Sequence, residues 1–209
     1  MPTLLITGFG PFPGAPFNPT DRLVRHLARV RRPALVDVTL VGHVFETSYA
    51  AVDRDLPRLI AAHKPDALLM FGLHGRAKAI RIETRARNAL ALLPDVSGRV
   101  LRRSVIDGNE PNALAMPAPA QRLLQAAHAA HLPAVLSRDA GRYLCNYLCW
   151  RATEAVAQGN GPRLAAFVHV PPVARNPRPR RAKTRISSAD LARAGENLLL
   201  ATVAAVNRV

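Results

Sequence analysis

The chain reads as a three-layer α/β/α sandwich built around a central, mostly parallel twisted sheet. Three observations predict this class. Short, continuously apolar runs alternate with longer amphipathic ones along all 209 residues. Strands that are apolar throughout belong to sheets covered on both faces, the setting of parallel βα units. Two of these runs, TLLIT at 3–7 and ALLMF at 67–71, lead straight into glycine loops, where such folds place their sites.

Element by element, Thr3–Thr7 is a buried strand followed by the loop GFGPFPG. Asn18 and Thr20 offer N-cap oxygens to a helix whose stripe is Leu23, Val24, Leu27 and Val30. Val36–Val41 is a second strand, and 48–63 a helix interrupted or kinked at Pro57. Residues 67–71 form the third strand, and 80–87 are extended. From 93 to 119, Pro, Gly, Asn and Asp accumulate, which predicts a long excursion with a short strand around Val105. A helix over 118–131, a strand at 134–137, the helix carrying both cysteines and a buried strand at 164–170 follow. Ser187 or Ser188 then caps a last helix that runs to about Val206. No internal repeat or linker divides the chain, so 1–209 is one domain, large enough for a core without disulfides.

Composition narrows the function. Hydrophobic residues at 49% and charged residues at 21% exclude a largely disordered chain. No apolar run approaches the ~20 residues of a membrane span, and the start MPTLLITGFGPF lacks the basic region of a signal peptide. With only two cysteines, the expectation is a cytoplasmic protein with reduced thiols. The formal net charge of +15 raises nucleic acid as a partner. Against that, the arginines are scattered and aromatic residues make up only 5%, too few for base stacking, so nucleic acid is disfavoured. The basic run RNPRPRRAKTR at 175–185 reads as a solvated loop. No HExxH, no P-loop and no GxGxxG appears, so no metal or other cofactor is expected.

The candidate chemistry sits after strands. Cys145 falls in the first turns of the helix after the strand 134–137, where the partial positive charge of a helix start favours a thiolate. Cys149 lies one turn deeper in an apolar stretch, and either thiol can instead be a small core residue. A cysteine nucleophile needs a base, commonly oriented by a third group. Of seven histidines, His26, His63, His128 and His131 fall on polar helix faces, while His43 and His74 are placed to line a crevice. His169 ends a buried strand just before Val170-Pro171-Pro172, where the sheet aims a functional side chain; a core histidine is the plainer alternative. Glu83 is the only acid between Asp66 and Asp95 and is the candidate orienting group, or else a salt-bridge partner of Arg81, Arg85 or Arg87.

Four segments together resemble the pyroglutamyl peptidases, cysteine peptidases that remove an N-terminal pyroglutamate. They are TGFGPFPGAPFNPT at 7–20, HKPDALLMFGLHG at 63–75 continuing to Glu83, PAVLSRDAGRYLCN at 133–146 and FVHVP at 167–171. The resemblance covers essentially the whole chain, and YLCN with FVHVP carries most of its specificity. It implies a triad of Cys145 as nucleophile, His169 as base and then acid, and Glu83 orienting the imidazole. It implies Phe9, Phe12, Asn18, Leu73, Leu93 and Tyr143 around the substrate, peptides with N-terminal pyroglutamate as partners, and a homo-oligomer, commonly a tetramer. Phe9 and Phe12 are equally readable as core residues. A neutral lactam suits an apolar pocket with a few placed polar groups.

The chain also departs from the family pattern. GLHGRA replaces GQAGGR at 72–77, so Leu73 stands where a glutamine is usual and the residues around Arg76 and Ala77 differ. Thr84 follows the acid in place of arginine, and Leu92-Leu93-Pro94-Asp95 replaces an arginine before Ile-Pro-Asp. Pro172 stands where the family usually carries an aromatic residue after the proline. These changes leave two rival expectations: the same triad acting on another small N-terminal acyl or lactam group, and a non-catalytic basic protein that binds nucleic acid.

Overall fold

The computed structural model describes residues 1–12, 14–159, 161–173 and 186–208; the basic run 175–185 lies outside them. The elements are β1 (Thr3–Phe9), α1 (Pro19–Leu27), β2 (Thr39–Phe45), α2 (Tyr49–His63), β3 (Ala67–Leu73), β4 (Ile80–Glu83), β5 (Arg85–Arg87), β6 (Ala113–Ala115), α3 (Ala120–His128), β7 (Ala134–Ser137), α4 (Leu144–Ala157), β8 (Leu164–Val170) and α5 (Ser188–Val206). Six strands form the main sheet in the order β2-β1-β3-β8-β4-β7. All neighbours are parallel except β8 and β4, so the sheet reverses direction once, between these two strands.

Two cores sandwich this sheet, sorted by the period-2 alternation of each strand. Leu4, Ile6, Leu69, Phe71, Ile80, Ile82, Val168 and Val170 pack beneath α1, α3 and α5. Leu5, Phe9, Leu68, Met70, Ala165 and Phe167 pack beneath α2 and α4, with Tyr49 and Trp150 among the fully buried side chains. The predicted three-layer class is therefore the observed one, and its central strands β1, β3 and β8 are buried on both faces for the predicted reason.

Helix starts follow the sequence chemistry. Asn18 caps α1 by accepting from Thr20 N, and Ser48 caps α2 by accepting from Ala51 N. Ser187, not Ser188, caps α5, in a reciprocal box with Asp190. α2 runs unbroken through Pro57.

The interruption expected at Pro57 does not occur, and three further expectations need correction. The strand predicted at 36–41 begins at Thr39, because Pro33 opens a 3₁₀ turn over Pro33–Leu35 and Val38 N still bonds back to Leu35 O. No strand forms around Val105, since Asn88 Oδ1 accepts from Ile106 N and Asp107 N and so takes those donors out of any ladder. The short strand of the excursion is instead β6, antiparallel to β5. The helix predicted over 118–131 is confined to 120–128; His131 closes the segment in the left-handed region, with φ 58°.

Candidate active site

The alternation that sorts the two cores also selects the reactive face. On β8, Phe167 and His169 point towards α4; on β4, Ile80 and Ile82 face the other layer, so Arg81 and Glu83 point towards α4 as well. Across the antiparallel pair Arg81 is the register partner of His169 and Glu83 that of Phe167. Glu83 and His169 are thus diagonal neighbours, within reach of each other's side chains. His169 Nδ1 donates to Glu83 Oε1 at 2.8 Å, and both residues are buried.

Cys145 arrives from the opposite layer, as the second residue of α4. It keeps partial solvent access. Its sulfur fits because β3 carries Gly72, the register partner of His169, at this point: a Cβ there would lie 2.7 Å from Cys145 Sγ and 2.7 Å from the Phe167 ring. Burial alone would lower the His169 pKa, but the charge of Cys145 and its hydrogen bond, followed by those of Glu83, outweigh burial and raise it to about 9. Glu83 thus holds His169 through one short hydrogen bond, and the Cys145 sulfur lies beside Gly72, the register partner of His169. Cys149, one turn on, is fully buried in the α2/α4 core; burial, then Cys145 and Glu83, push its thiol well above the usual range.

The start of α4 is held open and fixed in place. Tyr143 is its N-cap and offers no side-chain hydrogen bond to the first turn, whereas α1, α2 and α5 are capped by side chains. The fully buried Asn146 accepts from Arg87 N at 2.8 Å and donates to Arg87 O and Ala89 O, which ties the helix to β5. Tyr143 OH donates to Pro94 O at 2.9 Å, and its ring stands edge-on to Tyr49. Asp95, next to that proline, accepts from Tyr49 N, Ser97 and Arg99 N; burial works against its charge, but those hydrogen bonds hold its carboxyl below the usual range.

The remaining residues named from the sequence fall as follows. Leu73 ends β3, half-buried, one residue beyond Gly72. Leu93 and Leu92 are exposed on the excursion. Phe9 is buried and packs on Phe45, whereas Phe12 is half-buried and bridges to Ala15. Asn18 spends its polar atoms internally, with Nδ2 on Gly10 O and Oδ1 accepting from Thr20; it braces the loop. Thr84 binds Ser137 O through both N and Oγ1. Arg76 is exposed and Ala77 half-buried on the turn after β3.

Sequence reasoning passed over Gly72 and Asn146, named Arg81 only as an alternative salt-bridge partner of Glu83, a pairing the structure shows at 3.6 Å, and placed His74 only as a crevice residue. The His74 ring stands edge-to-face with His169 at 5.4 Å, and burial, then His169 and Arg81, lower its pKa. The signal for Arg81 was available: two residues before Glu83 on a strand means the same face.

The family profile described as pyroglutamyl peptidase matches residues 2–207. The pyrrolidone-carboxylate peptidase of Pyrococcus furiosus is 31% identical over 169 residues, covering 80% of each chain. Pyrrolidone-carboxylate peptidase 1 of Ralstonia nicotianae is 30% identical over 172 residues, covering 82% of this chain and 79% of its own. Among solved structures, a mutant pyrrolidone carboxyl peptidase from Pyrococcus furiosus superposes with a TM-score of 0.86 at 26% identity, covering 98% of this chain and 99% of that one. The Thermococcus litoralis pyrrolidone carboxyl peptidase shares the fold, with a TM-score of 0.88 at 24% identity over 100% of this chain and 96% of that one. Matched along nearly its whole length in sequence, the chain belongs to the pyroglutamyl peptidase family of cysteine peptidases.

Proposed function

We propose that Cys145, His169 and Glu83 carry out the hydrolysis by which this cysteine exopeptidase removes N-terminal pyroglutamate. The observation that carries the assignment is the 2.8 Å Nδ1–Oε1 bond between buried His169 and Glu83, beside which Gly72 makes room for the half-buried Cys145 sulfur. Glu83 holds the proton on Nδ1, which leaves Nε2 to exchange a proton with sulfur and substrate.

The thiolate of Cys145 attacks the pyroglutamyl carbonyl carbon, forming a C–S bond and an oxyanion. The uncapped first-turn N–H groups of α4 are the donors to that oxyanion. Collapse breaks the C–N bond while His169 passes its proton to the leaving amine, and the shortened peptide departs. His169, now neutral, takes a proton from water, which cleaves the thioester and releases pyroglutamate.

Phe12, Tyr143, Leu73 and Leu93, with Phe9 behind them, form the apolar surround of the lactam ring, and Asn18 shapes the loop that carries Phe12. The side-chain hydrogen bond from Tyr143 to Pro94 supports this reading, because it ties the nucleophile's helix to the excursion bearing Leu93. No helix among the described residues is long and apolar enough to cross a membrane, and two free cysteines suit a reducing cytoplasm.

A pyroglutamyl chloromethyl ketone tests the assignment. Peptide mapping by mass spectrometry is expected to find one adduct, on Cys145, whose formation excess pyroglutamate slows. Labelling of Cys149 instead, or labelling of Cys145 at the rate of an unrelated acyl chloromethyl ketone, contradicts the nucleophile or the pocket respectively.

A further inference from the structure

We propose that Arg81 is a positioning residue of this active site, latched to Ser137 so that its guanidinium holds the Glu83 carboxylate in place as His169 gains and loses its proton. The proposal rests on the roles assigned above to Cys145, His169 and Glu83.

Arg81 is fixed from two sides. It is the register partner of His169 on β8, and its Nη2 donates to Ser137 Oγ on β7 at 2.7 Å. Ser137 is in turn the register partner of Glu83. This latch leaves Arg81 Nε 3.6 Å from Glu83 Oε1, near enough for charge and too far for a hydrogen bond. Oε1 therefore keeps its short hydrogen bond for His169 Nδ1.

Glu83 needs that charge. It is fully buried, and its Oε2 has no hydrogen-bond partner among the described residues; Arg81 Nε is likewise buried and unpartnered. A buried carboxylate with one hydrogen bond is poorly compensated. His169 supplies a positive charge only while it is protonated, and the reaction requires it to give that proton to the leaving amine. At that point Glu83 faces a neutral imidazole. Cys149 on α4 and His74 beyond β3 also face Glu83, and neither carries a permanent positive charge, while Arg81 itself also faces the carboxylate of Asp139. An arginine does not deprotonate, so Arg81 remains a cation through both half-reactions.

The test uses full-length protein carrying Arg81→Met, Arg81→Lys or Ser137→Ala, each checked for native circular dichroism. Two pH profiles are measured: turnover of pyroglutamyl-aminomethylcoumarin, and alkylation of Cys145 by iodoacetamide, which needs no substrate recognition. For Arg81→Met, kcat is expected to fall about tenfold with KM within about twofold. Its acid limb should move up by roughly half a pH unit in both profiles, because neighbouring groups that lose a cation hold their protons more tightly. Arg81→Lys should recover most of the loss, and Ser137→Ala should shift the limbs less, in the same direction. Folded Arg81→Met with unchanged limbs overturns the proposal, and so does a change in KM alone, which would place Arg81 on the substrate. Should Arg81→Met not fold, the limbs of Arg81→Lys and Ser137→Ala decide by the same criteria. If the unmodified protein releases no fluorophore, the substrate reading fails, and the alkylation profile still decides the role of Arg81.

Discussion

Gly72 and His169 are register partners across β3 and β8, and the side chain that Gly72 lacks is the space in which the Cys145 sulfur lies. A methyl group there meets sulfur and the Phe167 ring at 2.7 Å, well inside van der Waals distance. Gly72→Ala should cost about 1–3 kcal/mol of stability through overpacking. It should also lower kcat/KM by on the order of a hundredfold, since a displaced nucleophile loses its aim. Thermal melts and steady-state kinetics on the same preparation check both, and an active, fully stable variant would mean that the thiol does not occupy this position.

Glu83→Gln removes the charge while nearly preserving shape. The amide can donate to Nδ1, which favours the wrong tautomer of His169, so kcat should drop by roughly 10²–10⁴-fold with KM little changed. Glu83→Ala should lose comparable activity and destabilise the fold further, by about 1–3 kcal/mol, because it leaves a buried imidazole N–H unpaired. Comparing the two by denaturant melts and kinetics separates orientation from packing.

The pKa of His169 is raised to about 9 against the pull of burial, chiefly by Cys145 and then by Glu83. A raised value means the proton is present below that pH and lost above it. Turnover should therefore decline on the alkaline side as pH passes about 9. In Cys145→Ala the largest raising influence is gone while burial still lowers the value, so the ring should titrate at lower pH than in the unmodified protein. Imidazole NMR shifts in the two proteins measure this directly.

Asp95 holds the excursion together through Tyr49 N, Ser97 and Arg99 N, and its carboxyl lies below the usual range. Asp95→Ala should raise KM several-fold by freeing Pro94, to which Tyr143 is bonded. It should also cost about 1–3 kcal/mol at neutral pH. A depressed folded value stabilises the protein above the unfolded pKa of about 3.9 and loses that effect as pH falls below it. The difference between variant and parent should thus be full at pH 7 and shrink below about pH 4, read from melts at each pH.

How much of this was legible in the sequence depends on where the information lies. β7 and β8 were placed to the residue, because a short apolar strand bounded by turns is written in local composition, although β7, at the sheet edge, leaves Val135 and Leu136 exposed. The excursion was misread at Val105, because Asn88, some eighteen residues away, takes the backbone donors there. Cys145 and His169 were readable as ends and starts of elements. Glu83 was readable only as an isolated acid, since nothing local reveals that β4 enters the sheet antiparallel and turns it towards His169. Gly72 and Asn146 escaped for the same reason: their function lies in what another element brings beside them.

The central claim is that the thiol at 145, and not the one at 149, performs the hydrolysis of pyroglutamyl peptides. Release of fluorophore from pyroglutamyl-aminomethylcoumarin by purified, reduced protein tests it most directly, beside Cys145→Ala and Cys149→Ala. The account predicts turnover that Cys145→Ala abolishes and Cys149→Ala retains. Turnover that survives Cys145→Ala, or its absence from a folded unmodified protein, would contradict it.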